Sequence, residues 1–224
     1  MTTYVLVPGM CHGSWCFDEL SASLRAAGHR VVALTLTGVA ERAHLTPGGV
    51  NLDTHVTDVL AAIGADARED DLVLVGHSYG GMVITGVADQ IPDRIDSLVF
   101  LDAVVAWDGE SCWDVVNDEE RAWYLDVDDT GFGVPPMPFF DERATSHPLA
   151  TLLQPLRLTG DLSRFRRREY VYALGWPGDS PLRPSYERVR DDPGWNCHEL
   201  DGGHNLMRDN PDDLVRILLD VASG

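Results

Sequence analysis

Lysine is absent from the 224 residues, so every one of the 17 basic side chains is arginine. That absence removes Schiff-base chemistry, the phosphate-loop lysine and the Ser-x-x-Lys nucleophile pair, each of which needs a primary amine. Basic charge of any kind is scarce. Seventeen arginines against 36 acidic residues give a formal net charge of -19, which repels phosphate backbones and anionic bilayers at long range, so neither nucleic acid nor a membrane is expected as a partner. Cysteine is sparse as well. Cys11, Cys16, Cys112 and Cys197 are widely spaced and form no Cys-x-x-Cys pair, which argues against a zinc or redox site and for buried or half-buried free thiols. No apolar run approaches the roughly 18 residues of a membrane span. The start MTTYVLVPG lacks the basic opening and long apolar stretch of a secretion signal. A soluble, cytoplasmic protein without metal or cofactor is therefore expected.

What is present is enough apolar residue, 44%, for one domain over 1–224 with a full core. Short apolar runs at 4–7, 30–36, 72–75, 97–101, 169–174 and 196–200 read as strands. The amphipathic stretches 17–27, 52–63, 79–90 and 212–221 read as helices between and after them. Apolar strands alternating with helices imply an α/β architecture with a mostly parallel, doubly wound sheet covered on both faces. One segment, 107–167, breaks the alternation. It is long, acidic, and rich in proline and aromatics, and loops of that length are uncommon unless they do something. It reads as a cap inserted between two core strands. Its Trp113, Trp123, Tyr124, Phe132, Met137, Phe139 and Phe140 are expected either to line a substrate pocket or to pack the cap onto the core.

The most informative motif is Gly76-His77-Ser78-Tyr79-Gly80-Gly81, directly after the 72–75 strand and directly before an apolar-faced helix. A strand that turns at once into a helix leaves little room beside the central residue, hence glycine on both sides, and it pushes the Ser78 hydroxyl out over the sheet edge. The helix beginning there offers free N–H groups and a dipole that favours negative charge. A serine hydroxyl needs a base. His204, in Asp201-Gly202-Gly203-His204-Asn205 after the last strand, is placed to supply one. His12 and His77 flank the site as possible substrate contacts, together with Trp123 of the cap. His29, His44, His55, His147 and His198 read as surface or packing residues. Two aspartates compete to orient the base. Asp102 ends the apolar run 97–101 and is followed by Ala103-Val104-Val105. A carboxylate so enclosed by core is costly unless a histidine pairs with it. Asp179 follows the next strand. Asp102 is favoured and Asp179 is the alternative.

These segments resemble the plant methylesterase and hydroxynitrile lyase group of α/β-hydrolases and its bacterial relatives. The resemblance rests on residues 7–15 (VPGMCHGSW), on 76–82, on Val99-Phe100-Leu101, and on Gly203-His204 with Met207 three residues later. The cap matches poorly. The resemblance implies the α/β-hydrolase fold and an oxyanion hole made by the backbone N–H groups of Met10 and Tyr79. Pro8 stands where the group usually has histidine. The group normally takes its acid from the loop after the 169–174 strand and has an alanine-like residue at the position of Asp102, so this chain departs from it there. The lyases of the group carry lysine directly after the catalytic histidine. Here that residue is Asn205, so cyanohydrin cleavage by their route is not expected.

The expectation is a serine hydrolase acting on a small or medium hydrophobic ester through Ser78, His204 and Asp102, with an acyl-enzyme intermediate. Two other classes stay open. A lyase, dehydratase or cyclase can use the same serine and histidine for proton transfer, and a binding protein can keep the fold without turnover. Exposed caps often pair, so a homodimer is one expectation for assembly.

Overall fold

The computed structural model describes residues 1–45, 49–64 and 71–223. Among them the centre is a six-stranded sheet in the order β2-β1-β3-β4-β7-β8, formed by β1 (Thr2–Val7), β2 (Arg30–Ala33), β3 (Asp71–His77), β4 (Ile95–Leu101), β7 (Arg167–Ala173) and β8 (Asn196–Leu200). Every neighbouring pair is parallel. Parallel neighbours need crossovers, and helices supply them: α1 (Asp18–Ala26), α2 (Leu52–Ile63), α3 (Gly80–Gln90) and α7 (Arg183–Val189), with α9 (Pro211–Ser223) closing the chain. Side chains alternate across each strand. Leu72 and Leu74 of β3 join the layer built with α2 and α3, whereas Val73 and Val75 join the layer of α1 and α9. This is the parallel, doubly wound α/β sheet covered on both faces that the strand and helix pattern predicts.

Winding runs outward from β1 to β2, then returns to place β3 on the other side of β1. At such a reversal the loops leaving the two strands diverge and open a crevice at their carboxyl ends, the usual ligand site of open parallel sheets. Here those ends are Val7-Pro8-Gly9 and Gly76-His77-Ser78. The topology alone brings the two motifs together.

Several boundaries differ from the apolar runs because backbone pairing, not side-chain polarity, ends a strand. β2 stops at Ala33, opposite Leu6, after which Thr35 Oγ1 accepts from the Ser14 backbone N–H, 2.8 Å away. β3 continues through Gly76 and His77, opposite Phe100 and Leu101. A 3₁₀ turn at Ser14–Phe17 precedes α1. α7, seven residues opening on Arg183-Pro184, is too short to stand out from its sequence.

Between β4 and β7 the chain is structured. It holds α4 (Cys112–Val115), α5 (Asp118–Leu125), the two-residue strands β5 (Gly133–Val134) and β6 (His147–Pro148), and α6 (Ala150–Leu153). Reciprocal Ser111 and Asp114 bonds cap α4, and Asn117 caps α5. A last short helix, α8 (Leu206–Asp209), follows β8. The four cysteines are free thiols, Cys11 and Cys112 buried and the others half-buried. No helix among the described residues is long and apolar enough to cross a membrane.

Candidate active site

Ser78 sits in the turn from β3 into α3 with φ of 55°, a left-handed conformation that a serine rarely adopts. Its backbone is pinned on both sides. The N–H donates to the Leu101 carbonyl at 3.2 Å, and the carbonyl accepts from Gly81 at 3.1 Å and Val104 at 3.0 Å. Glycine is required around it by contact: a Cβ at Gly76 would lie 2.7 Å from the Gly80 backbone, and one at Gly80 would overlap the Val7 carbonyl oxygen. Backbone strain held by so many bonds is characteristic of functional positions.

Asp102 is the first residue beyond β4. It also has a positive φ, 39°, and it is fully buried. Its N–H donates to Val171 of β7 at 2.7 Å, so the sheet itself fixes where the carboxyl points. Oδ2 accepts from His204 Nδ1 at 2.7 Å, and Oδ1 lies 3.4 Å from the Ala173 N–H. With Nδ1–H committed to the carboxylate, Nε2 of His204 is the nitrogen left to take a proton. The loop carrying His204 is held by Gly203 N–H to Asp209 at 2.9 Å and by Gly175 N–H to the Gly202 carbonyl at 2.8 Å. Trp176 meets the imidazole edge-on, ring centres 5.1 Å apart.

His77 adds a third anchor. Its Nε2 lies 2.9 Å from the His204 carbonyl, which can only accept, so Nε2 bears the hydrogen. Burial, reinforced by the neighbouring His204, holds this imidazole well below its ordinary pKa of 6.5. It is therefore neutral, and Nδ1 is a buried lone pair with no hydrogen-bond partner among the described residues.

The loop after β1 approaches the serine closely: a Cβ on Gly9 would sit 2.7 Å from Ser78 Cβ and 3.3 Å from Oγ. Among the described residues neither the Met10 nor the Tyr79 backbone N–H donates to a protein acceptor. Met10 lines the cavity, and an unpaired amide at a pocket is costly unless something is to be bound there. Behind them lies a buried polar network. Cys11, at φ of 66°, directs its N–H to His147 Nδ1 at 3.4 Å and accepts from the Thr145 N–H at 3.2 Å. His147 Nε2 then donates to Thr151 Oγ1 at 2.9 Å. On the other side the Tyr79 hydroxyl donates to His55 Nδ1 at 3.0 Å, and His55 Nε2 donates to the Thr37 carbonyl at 2.9 Å. Burial keeps both imidazoles neutral, pushing His55 down to about 4 and His147 well below 6.5. The expectation that these two histidines are packing residues holds, with the addition that they pack against the backs of Tyr79 and Cys11.

Ser78, His204, Gly9 and Met10 line one cavity of about 410 Å³, with Trp15, Trp123, Met137, Phe139, Phe140 and Trp176 as apolar walls. Ser78 Oγ and the imidazole face this space without a direct hydrogen bond between them; such bonds often tighten only with substrate. His12, His77 and Trp123, the expected contacts, all reach the cavity. His12 Nδ1 donates to the Met10 carbonyl at 2.7 Å. Asp179 does not reach it: its carboxylate is exposed and pairs with Arg183 at 3.0 Å. Of the seven aromatic and methionine side chains singled out in 107–167, Trp123, Met137, Phe139 and Phe140 line the cavity, Trp113 and Tyr124 join the core, and Phe132 faces solvent.

Two features escaped the sequence. Trp176 was hidden beside the alternative acid Asp179, and Glu120 lay in an Asp118-Glu119-Glu120 run that reads as the solvated first turn of a helix. Neither carries a local signal, because the contacts that matter come from distant elements.

Comparison with known proteins gives a consistent picture. A model described as "Alpha/beta hydrolase family" matches residues 4–217. A carbendazim hydrolyzing esterase from Nocardioides sp. (strain SG-4G) is 40% identical over 240 aligned residues, covering 97% of this chain and 98% of that protein. Among solved structures, an extracellular alpha/beta-hydrolase from a Paenibacillus species superposes with a TM-score of 0.82 at 22% identity, covering 100% of both chains. A methylesterase protein from Arabidopsis superposes at 0.76 and 20% identity, covering 100% of this chain and 99% of that one.

Proposed function

The chain belongs to the alpha/beta hydrolase family, and from that premise we propose that it is a serine esterase in which Ser78 is the nucleophile, His204 the general base and Asp102 the orienting acid. The observation that carries the reading is the 2.7 Å bond from His204 to a fully buried Asp102, on a cavity shared with a serine held at φ of 55°. Ser78 Oγ attacks the ester carbonyl carbon while His204 Nε2 takes its proton. The Asp102 carboxylate stabilises the imidazolium that forms, and the Met10 and Tyr79 amides receive the oxyanion. Collapse expels the alcohol, which takes the proton back from His204. Water, activated by the same imidazole, then releases the acid from the acyl-enzyme.

A cavity of about 410 Å³ with aromatic walls suits a small or medium hydrophobic ester. The relative named for hydrolysing carbendazim supports ester hydrolysis as the reaction class. We read the segment 107–167 as a cap that roofs this cavity, since it supplies Trp123, Met137, Phe139 and Phe140.

The test is intact-protein mass after exposure to a small fluorophosphonate, for the wild type beside Ser78→Ala and His204→Ala. A single adduct, lost in both variants, is the expected result, followed by Ser78-dependent turnover across a panel of uncharged esters. A folded wild type that forms no adduct and hydrolyses no ester would overturn the proposal in favour of proton-transfer chemistry or binding alone.

A further inference from the structure

Glu120, the third residue of α5, is the group in the cavity that the esterase reading leaves without work. It is half-buried and lines the same cavity as Ser78 and His204, among the walls given by Trp123 and Phe140. A carboxyl has about four acceptor sites. The buried Tyr124 hydroxyl, 3.3 Å from the Cys112 thiol, lies close enough to favour the ionised form of Glu120. No arginine or histidine forms an ion pair with Glu120 among the described residues. Asp141, the other acid on the cavity, is by contrast paired with Arg143 at 2.8 Å. A carboxyl held against apolar walls without an ion-pair partner is costly, and a partner arriving with a substrate would offset that cost.

We propose that Glu120 is the specificity determinant of this cavity, selecting esters whose acyl or alcohol group presents an N–H donor or a protonatable nitrogen to its carboxyl. The proposal rests on the esterase reading and narrows its substrate class. Burial, opposed by the nearby His204, holds the Glu120 carboxyl up to about 7. Near neutrality both of its forms are thus accessible: the carboxylate accepts from N–H or pairs with a cation, and the acid donates to a bare ring nitrogen. The apolar walls supply affinity for the ring and the carboxyl supplies orientation, the usual division of labour in small-molecule sites.

The experiment compares isosteric pairs: aminophenyl acetates and methyl aminobenzoates, with the amino group at each ring position, against the same esters carrying methyl in its place. The wild type is expected to favour the amino member at one or more positions by at least tenfold in kcat/KM. In Glu120→Leu that ratio falls to near one, by loss on the amino ester and gain on the methyl ester, because leucine extends the apolar wall. Glu120→Gln, which still accepts from N–H, keeps part of the preference. A wild type with Ser78-dependent turnover but no preference at any position would overturn the role of Glu120 and leave the esterase reading standing. So would a preference that survives in Glu120→Leu. Calorimetric binding of the matching aminophenols and cresols reads the same selectivity without turnover. Were no ester hydrolysed, a cresol-like affinity for the aminophenols would overturn the role of Glu120, and tighter aminophenol binding that is lost in Glu120→Leu would uphold it.

Discussion

At the residue scale the partners of the carboxylates and histidines decide their work. Asp102 and Asp179 both follow core strands, yet one is enclosed against His204 and the other is paired with Arg183 in solvent. Asp102→Asn should lower kcat by roughly 10³- to 10⁴-fold with the fold intact, because an amide in that place favours the wrong imidazole tautomer. Asp179→Asn should leave kcat within about twofold. Steady-state kinetics with circular dichroism on both variants decides the assignment. His77 donates to the His204 carbonyl at 2.9 Å and so helps to hold the loop that carries that imidazole. His77→Phe removes that donor and leaves a carbonyl unmet, at a cost of about 1–3 kcal/mol. The expected outcome is a fall of about tenfold in kcat with little change in KM, partly rescued by His77→Gln, whose side-chain amide can donate. Asp102 was legible in the sequence because a charge ending a core strand demands a partner. Glu120 was not, because acidic residues opening a helix are ordinary there and only the fold turns one of them inward.

At the element scale the strand-turn-helix around Ser78 was legible because its glycines are imposed by neighbours so close that no other residue fits. Gly80→Ala drives a methyl into the Val7 carbonyl oxygen, so β1 and α3 must separate where they support the site. Urea unfolding should show a loss of at least 2 kcal/mol, within the range of other steric insults to a packed interior, and esterase activity should fall with it. Less was legible where hydrogen bonding overrules pattern. β2 is apolar through Leu36 but ends at Ala33, where its pairing with β1 ends. α7 and the short elements at 112–153 have too few turns to impose a period on their sequence. The network through His55 and His147 was invisible for a related reason: its members come from α2, the loop after β1 and the insertion, and no spacing in the chain links them.

At the scale of the whole molecule, three histidines buried in the neutral form make the fold sensitive to acid. An unfolded chain takes up protons at histidine near 6.5, whereas folded His55 does so only near 4. Between those values the unfolded state binds more protons, so stability falls as pH drops through the window and levels off below it. His77 and His147 act in the same direction. From His55 alone the loss should be ~2–3 kcal/mol. Urea midpoints measured from pH 7.5 to 4.5 should therefore decline, and His55→Gln should decline less steeply despite lower stability at pH 7.5. An equal slope in the variant would remove His55 from the account. The fold class itself was legible at this scale from alternation alone, since six apolar strands separated by helices admit few architectures.

The contact between His147 and the Cys11 N–H bears on how such a protein can be re-engineered. Residues 145–151 brace the loop after β1, through Thr145 and His147. A chimaera that replaces the insertion wholesale would import a new pocket and discard the support of its own Met10 amide. A transplant that ends before Thr145 and leaves residues 145–151 with the host keeps that brace. The seam between what lines the cavity and what supports the loop after β1 therefore runs through segment 107–167, not along its edge.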